Sequence, residues 1–152
     1  GKAFGLKKDH ERAIEDFSEA IILNPQETEF FLLRGTEYYL SRKYNLAYRN
    51  LSVVVTREPN NAEALFFRGL VNNFMNKPDR VIEDLDKAIG LGYKVSDAYA
   101  VRGSAHCDKS HFKQCRADYD EAIKLDPDNP IAKEGLAKLK SKPEKRLQGK
   151  TP

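Results

Sequence analysis

The chain has 152 residues, 32% of them charged, with two Cys, three His, no Trp and a formal net charge of +3. Its length suits one elongated domain. No stretch approaches the ~18 apolar residues of a membrane span, and no secretory leader pattern opens the sequence. The charge is uneven: six basic residues and one acidic lie from Lys138 onward, so that stretch carries +5 and the rest sums to −2. A short Lys/Arg run is a solvated end in most proteins, and no aromatic or glycine-rich motif of the RNA-binding kind accompanies it, so nucleic acid is not an expected partner.

Taken in chain order, the sequence repeats itself every 34 residues. Residues 1–27 open on Gly1 and place Ala13, Phe17 and Ala20 at steps of 12, 4 and 3, closing on Pro25. Residues 28–61 give Gly35, Ala47, Leu51, Val54 and Pro59; 62–95 give Gly69, Val81, Leu85 and Ala88, with Tyr93 in the proline's place. Residues 96–129 give Gly103, Cys115, Tyr119, Ala122 and Pro127. Apolar spacing of three and four predicts amphipathic helices, two per repeat, the small columns allowing close approach and the large ones filling the seam. Asn61, Ser96 and Asn129 are candidate N-caps, the last followed by Pro130 in the first helical turn. Gly90 and Gly92 predict that the helix before them ends early or bends.

After the repeats, residues 130–141 form one capping helix with Ile131, Leu136 and Leu139 inward and lysines outward, and 142–152 form a basic flexible tail. The chain starts on the glycine of its first repeat, which leaves that repeat's first helix partial. A sticky N-terminal end is therefore expected, open to self-association, with Phe4 on it.

Fixed spacing of Gly, then Ala, a large apolar residue, Ala and a closing Pro resembles the tetratricopeptide repeat, over residues 1 to about 127. The resemblance implies an all-α fold: a right-handed superhelical solenoid of antiparallel helix pairs, about 3.5 repeats plus the C-terminal cap. Two departures stand out. Arg34, Arg68 and Arg102 replace the family's leucine before the glycine. The aromatic three residues past it, Phe4 and Tyr38, becomes Asn72 and His106, where weaker packing or a buried polar contact is expected.

No nucleophile elbow, phosphate loop or paired-histidine motif is present, so the chain reads as non-enzymatic, with no cofactor and no metal. Asp16, Asp84 and Asp118 recur with the period, Asn50 filling the second repeat's slot. Periodic acids beside periodic arginines predict ion pairs between helices rather than catalysis. Cys107, His111 and Cys115 would share a face on one unbroken helix, but the turn expected near Ser110 splits them. Packing rather than zinc is the reading, with Cys115 a slim hydrophobe, no disulfide framework, and an intracellular, cytoplasmic setting.

Where the fold resembles the family, first helices line a concave groove. In the second repeat this gives Glu29, Leu32, Leu33, Thr36, Tyr39 and Leu40. The third gives Glu63, Phe66, Phe67, Leu70, Asn73 and Phe74; the fourth gives Asp97, Val101 and Ser104 with Ala100, Cys107 and Asp108. The expected function is a protein–protein interaction scaffold or adaptor that docks an apolar peptide or amphipathic helix flanked by basic residues. The alternative is a structural or self-associating spacer of a large assembly. The family's carboxylate clamp for acidic chaperone tails is not matched: its places fall on Leu32, Thr36, Phe67, Asp97 and Val101, or, one repeat upstream, on Lys2, Leu33, Glu63 and Phe67.

Overall fold

A computed structural model describes residues 2–141, with side chains from Asp9 onward; Gly1, the Phe4 and Lys2 side chains and the expected tail 142–152 lie outside the described residues. Eight helices follow one another among them: α1 (Lys2–Leu23), α2 (Thr28–Leu40), α3 (Tyr44–Arg57), α4 (Ala62–Phe74), α5 (Pro78–Gly90), α6 (Ser96–Asp108), α7 (Phe112–Leu125) and α8 (Pro130–Ser141). The chain divides after Gly92 into two compact bodies, α1–α5 and α6–α8.

Within a repeat the reversal is made by one left-handed residue. Arg42, Asn76 and Ser110 have φ of 59°, 53° and 61° and stand 34 residues apart. The next residue's amide reaches back five positions at each turn: Lys43 to the Tyr38 carbonyl (2.8 Å), Lys77 to Asn72 (3.0 Å), His111 to His106 (2.8 Å). This closure satisfies the last carbonyls of α2, α4 and α6 and starts α3, α5 and α7 antiparallel to them.

The first repeat departs from expectation. Instead of a partial first helix, a turn and a second helix, α1 runs unbroken from Lys2 to Leu23. Lys8 occupies the place of Arg42, but residues 2–7 supply under two turns. A segment that short cannot sustain a helix of its own and is stabilised as an extension of a longer one.

At the helix starts, the Asn61 side chain accepts from Ala64 N (2.9 Å) and Asn129 from Ala132 N (3.1 Å), as the sequence predicts. Ser96 is not a cap; Val95 takes that position and Ser96 begins α6, its hydroxyl donating to the Ala122 carbonyl (2.9 Å). α5 ends at Gly90, one residue short of its counterparts, and Gly92 turns the chain with φ 97°.

In the N-terminal body, α2 packs on α3 and α4 on α5, with α1 against α2 and α3 against α4. Ala47, Leu51, Val54, Val81, Leu85 and Ala88 are all buried, so the small and large columns form the hairpin seams. Burial of each leucine contributes roughly 1.5–3 kcal/mol. In the C-terminal body, Cys115, Tyr119, Ala122 and Ala132 form the cluster that joins α6, α7 and α8. Ala132 rather than Ile131 enters it; Ile131, expected inward, is exposed, one residue's 100° rotation around α8 separating them.

Candidate functional site

The periodic charges resolve first. Arg68 grips Asp84 with two bonds, Nε to Oδ2 (3.0 Å) and Nη2 to Oδ1 (2.6 Å), and Arg102 grips Asp118 alike (2.9 and 2.6 Å). Both carboxylates are buried and join the helices of one hairpin, as the shared period predicts. Polar contacts also replace the missing aromatics: Asn72 donates to Asp84 (3.0 Å), and His106 Nε2 lies 3.9 Å from Asp118. These acids are committed to holding paired helices together.

Cysteine pairing overturns an expectation. Cys107 and Cys115 are joined by a disulfide, with Cα atoms 5.2 Å apart. Neither is a free thiol, so the thiols on which the reducing setting rests are bonded to each other. The turn at Ser110 separates the residues along the chain and, by reversing it, brings the end of α6 beside Cys115 of α7. Among the described residues no group of three His, Cys, Asp or Glu side chains is placed to hold a metal ion.

Of the residues expected to line a groove, Leu32, Phe66, Leu70 and Val101 are buried and offer no surface. A helical wheel gives their direction but not what covers them: α2 packs on α4 as well as on α3, and Leu32 shares a core cluster with Ala64 and Val71. The Thr36 hydroxyl donates to the Leu32 carbonyl (3.0 Å). In the C-terminal body, Asp97 accepts from Asn129 (2.8 Å). Ser104 there lines a cavity of about 280 Å³ with Asp108, Tyr119, Glu134 and Lys138. Burial pushes the Tyr119 phenol above its ordinary pKa, against a hydrogen bond from Ser104.

What stays accessible is an aromatic face on the N-terminal body. Phe74 is 55% exposed and Leu40 52%, with Leu33 also exposed and Tyr39, Phe67 and Asn73 half-buried. Tyr39 meets Phe67 at 6.0 Å and Phe74 at 5.9 Å between ring centres, and Tyr44, which sequence reasoning missed, stacks flat on Phe74 at 4.6 Å. Tyr44 lies in the second helix of its repeat, so a search confined to first helices passes over it. Glu29 and Glu63 are exposed and make no ion pair among the described residues.

Paired helices with a 34-residue register define a helical-repeat protein. Residues 96–129 match the tetratricopeptide repeat model. Human tetratricopeptide repeat protein 6 is 22% identical over 159 residues, covering 83% of this chain and 31% of that protein, so the chain spans under a third of this curated relative. MamA superposes with a TM-score of 0.77 at 24% identity, over 86% of this chain and 76% of that one. The second such domain of human RPAP3, determined with the HSP70 peptide SGPTIEEVD, superposes with a TM-score of 0.64 at 26% identity, over 72% of this chain and 91% of that one. Residues 96–129 thus match a tetratricopeptide repeat, and the fold is similar to that of solved tetratricopeptide-repeat domains.

Proposed function

We propose that this chain is a protein-interaction module whose N-terminal body docks an apolar peptide or amphipathic helix on Leu33, Leu40 and Phe74, with Tyr39, Phe67 and Tyr44 behind them. The observation that carries the reading is Phe74, a ring packed in an aromatic cluster yet more than half exposed. Large apolar anchors of this kind dominate interfaces once a partner removes them from water. Glu29 and Glu63 favour a partner with Lys or Arg beside its apolar stripe.

The RPAP3 domain was determined with an acidic peptide. In this chain the places that would serve such a tail carry Leu32, Thr36, Phe67, Asp97 and Val101, none of them cationic, or one repeat upstream Lys2, Leu33, Glu63 and Phe67, where Lys2 is the single cation; an acidic tail is therefore not the proposed occupant of this face.

Selection from a random peptide library tests the reading. Wild-type protein should enrich apolar residues flanked by Lys or Arg, and Phe74→Asp/Leu33→Asp should lose that consensus, with affinity for the selected peptides falling by about 30-fold or more, the scale of a hot spot. Circular dichroism checks that both proteins are equally helical. The same consensus from both would refute the assignment.

A further inference from the structure

α2 carries a second recess on the side turned away from Leu33 and Leu40. At 3.6 residues per turn, Phe31, Arg34 and Tyr38 lie nearly opposite Leu33, Thr36 and Leu40. With Leu46 and Val53 of α3 they line an open cleft of about 250 Å³, and Arg34 and Arg49 are its charged groups. No acidic residue lines it.

The next repeat shows what normally occupies this place. A shift of 34 residues carries Arg34, Tyr38, Leu46, Arg49 and Asn50 onto Arg68, Asn72, Arg80, Glu83 and Asp84, which together with Tyr48 line a cavity of only about 80 Å³. There two arginines face two acids, and Asp84 holds Arg68 with two bonds. In the second repeat both acids are gone. Asn50 replaces the aspartate, and Arg49 replaces the glutamate.

Arg34 therefore lacks a carboxylate. It gives Nε to Asn50 Oδ1 (2.9 Å) and Nη1 to Ser18 Oγ (3.0 Å) and sits 5.7 Å from the Phe31 ring centre. Nη2, the atom that meets a carboxylate oxygen in the other two repeats, has no acceptor among the described residues. Asn50 cannot supply one, because its amide nitrogen donates to the Leu46 carbonyl (2.8 Å) and holds the group in place. Arg49 is exposed and makes no ion pair among the described residues.

We propose that this cleft binds an acidic segment of a partner protein, one Glu or Asp side chain meeting Arg34 and Arg49 and an apolar residue one helical turn away entering the recess between Phe31, Tyr38, Leu46 and Val53. The partner's carboxylate supplies to Arg34 Nη2 the oxygen that Asp84 and Asp118 supply to the arginine Nη2 in the other repeats. Carbon walls select an apolar neighbour, which an inorganic anion lacks, and the open side lets the rest of the segment continue into solvent. This site is independent of the Leu33–Phe74 face and takes a partner of opposite charge.

The test is titration of the whole chain, followed by amide NMR shifts, with a helical peptide acetylated and amidated at its ends and carrying Glu and Leu one turn apart. Wild-type protein should show shifts centred on Phe31, Arg34 and Arg49. Replacing Glu by Gln in the peptide should weaken binding about tenfold or more, the worth of a charge-assisted bond. Asn50→Asp should abolish binding by supplying the carboxylate internally, and Arg49→Gln, a surface change, should weaken it several-fold in a protein whose thermal unfolding is unaltered. Equal binding of the Glu and Gln peptides, or unchanged affinity in both variants, would overturn the proposal. So would displacement of the peptide by an equal concentration of inorganic phosphate.

Discussion

Asp84→Ala should be the most damaging single change in the N-terminal body. The carboxylate is 2% exposed and accepts three bonds, from Arg68 Nε (3.0 Å), Arg68 Nη2 (2.6 Å) and Asn72 Nδ2 (3.0 Å). Burial works against the Arg68 charge, yet Asp84 outweighs it and holds the guanidinium pKa above its usual value. Removing the carboxylate leaves a largely buried cation and an amide without their acceptor, which costs about 3–5 kcal/mol. Asp84→Asn is milder, and the second repeat shows its outcome: Arg34 keeps the Nε bond to Asn50 (2.9 Å) and loses the other. One charge-assisted bond is worth about 1.5–3 kcal/mol. The double variant Arg68→Met/Asp84→Leu should be less damaging than Asp84→Leu alone, because no unpaired charge remains. Urea unfolding followed by circular dichroism reads all four as midpoint shifts at constant slope. A loss under about 1 kcal/mol for Asp84→Ala would make this pair equivalent to a surface contact and refute the reasoning.

Further outcomes are expected of the same protein. At Gly69 an added Cβ would lie 2.7 Å from Leu85 Cδ2 and 2.9 Å from Cγ, and Leu85 is fully buried, so Gly69→Ala should cost about 1–3 kcal/mol by overpacking. Gly90→Ala meets nothing within 4 Å and should instead stabilise α5 by about 0.5–1 kcal/mol; the reverse order would show that seam packing does not set the glycine column. The disulfide is checked by thiol counting in denaturant, where unreduced protein should take up no maleimide. Cys107→Ala/Cys115→Ala should then lower stability by about 2–3 kcal/mol through the short loop it frees in the unfolded state.

The 34-residue period made much of the fold legible because one spacing fixed both partners of each contact. Glycine and the large apolar residue lie 16 apart in the sequence, and the arginine and its acid do too, so the Gly69–Leu85 seam and the Arg68–Asp84 pair follow from one register. Asn72 and His106 were readable for the same reason, as polar residues in an aromatic column facing a periodic acid. Depth was not readable. Leu32 and Leu33 are neighbours of identical type, one buried and one exposed, because burial depends on the helix that arrives from the next repeat. The Cys107–Cys115 bond was hidden by treating the turn at Ser110 as a separator, when a tight antiparallel turn makes neighbours of residues on its two sides. Their counterparts, Tyr39 with Ala47 and Asn73 with Val81, hold no such chemistry, so the period gave no hint. Continuity of α1 was equally illegible, since the glycine column predicts a helix there but not where it ends.

A repeating frame also lets each repeat serve as the reference for the others, and on that measure the second repeat is the unusual one. Its arginine alone faces an amide, while Tyr39 and Tyr44 place aromatic rings against Phe67 and Phe74 of the next first helix. α2 therefore stands between an apolar face edged by glutamates and an apolar cleft edged by arginines. If the departures serve binding, the two must separate experimentally. Leu33→Asp should abolish capture of basic-flanked peptides and leave the Glu-bearing helix bound, whereas Asn50→Asp should do the opposite. A pair of variants on adjoining helices, each silencing one charge class and sparing the other, cannot be produced by a general loss of folding, which would remove both together.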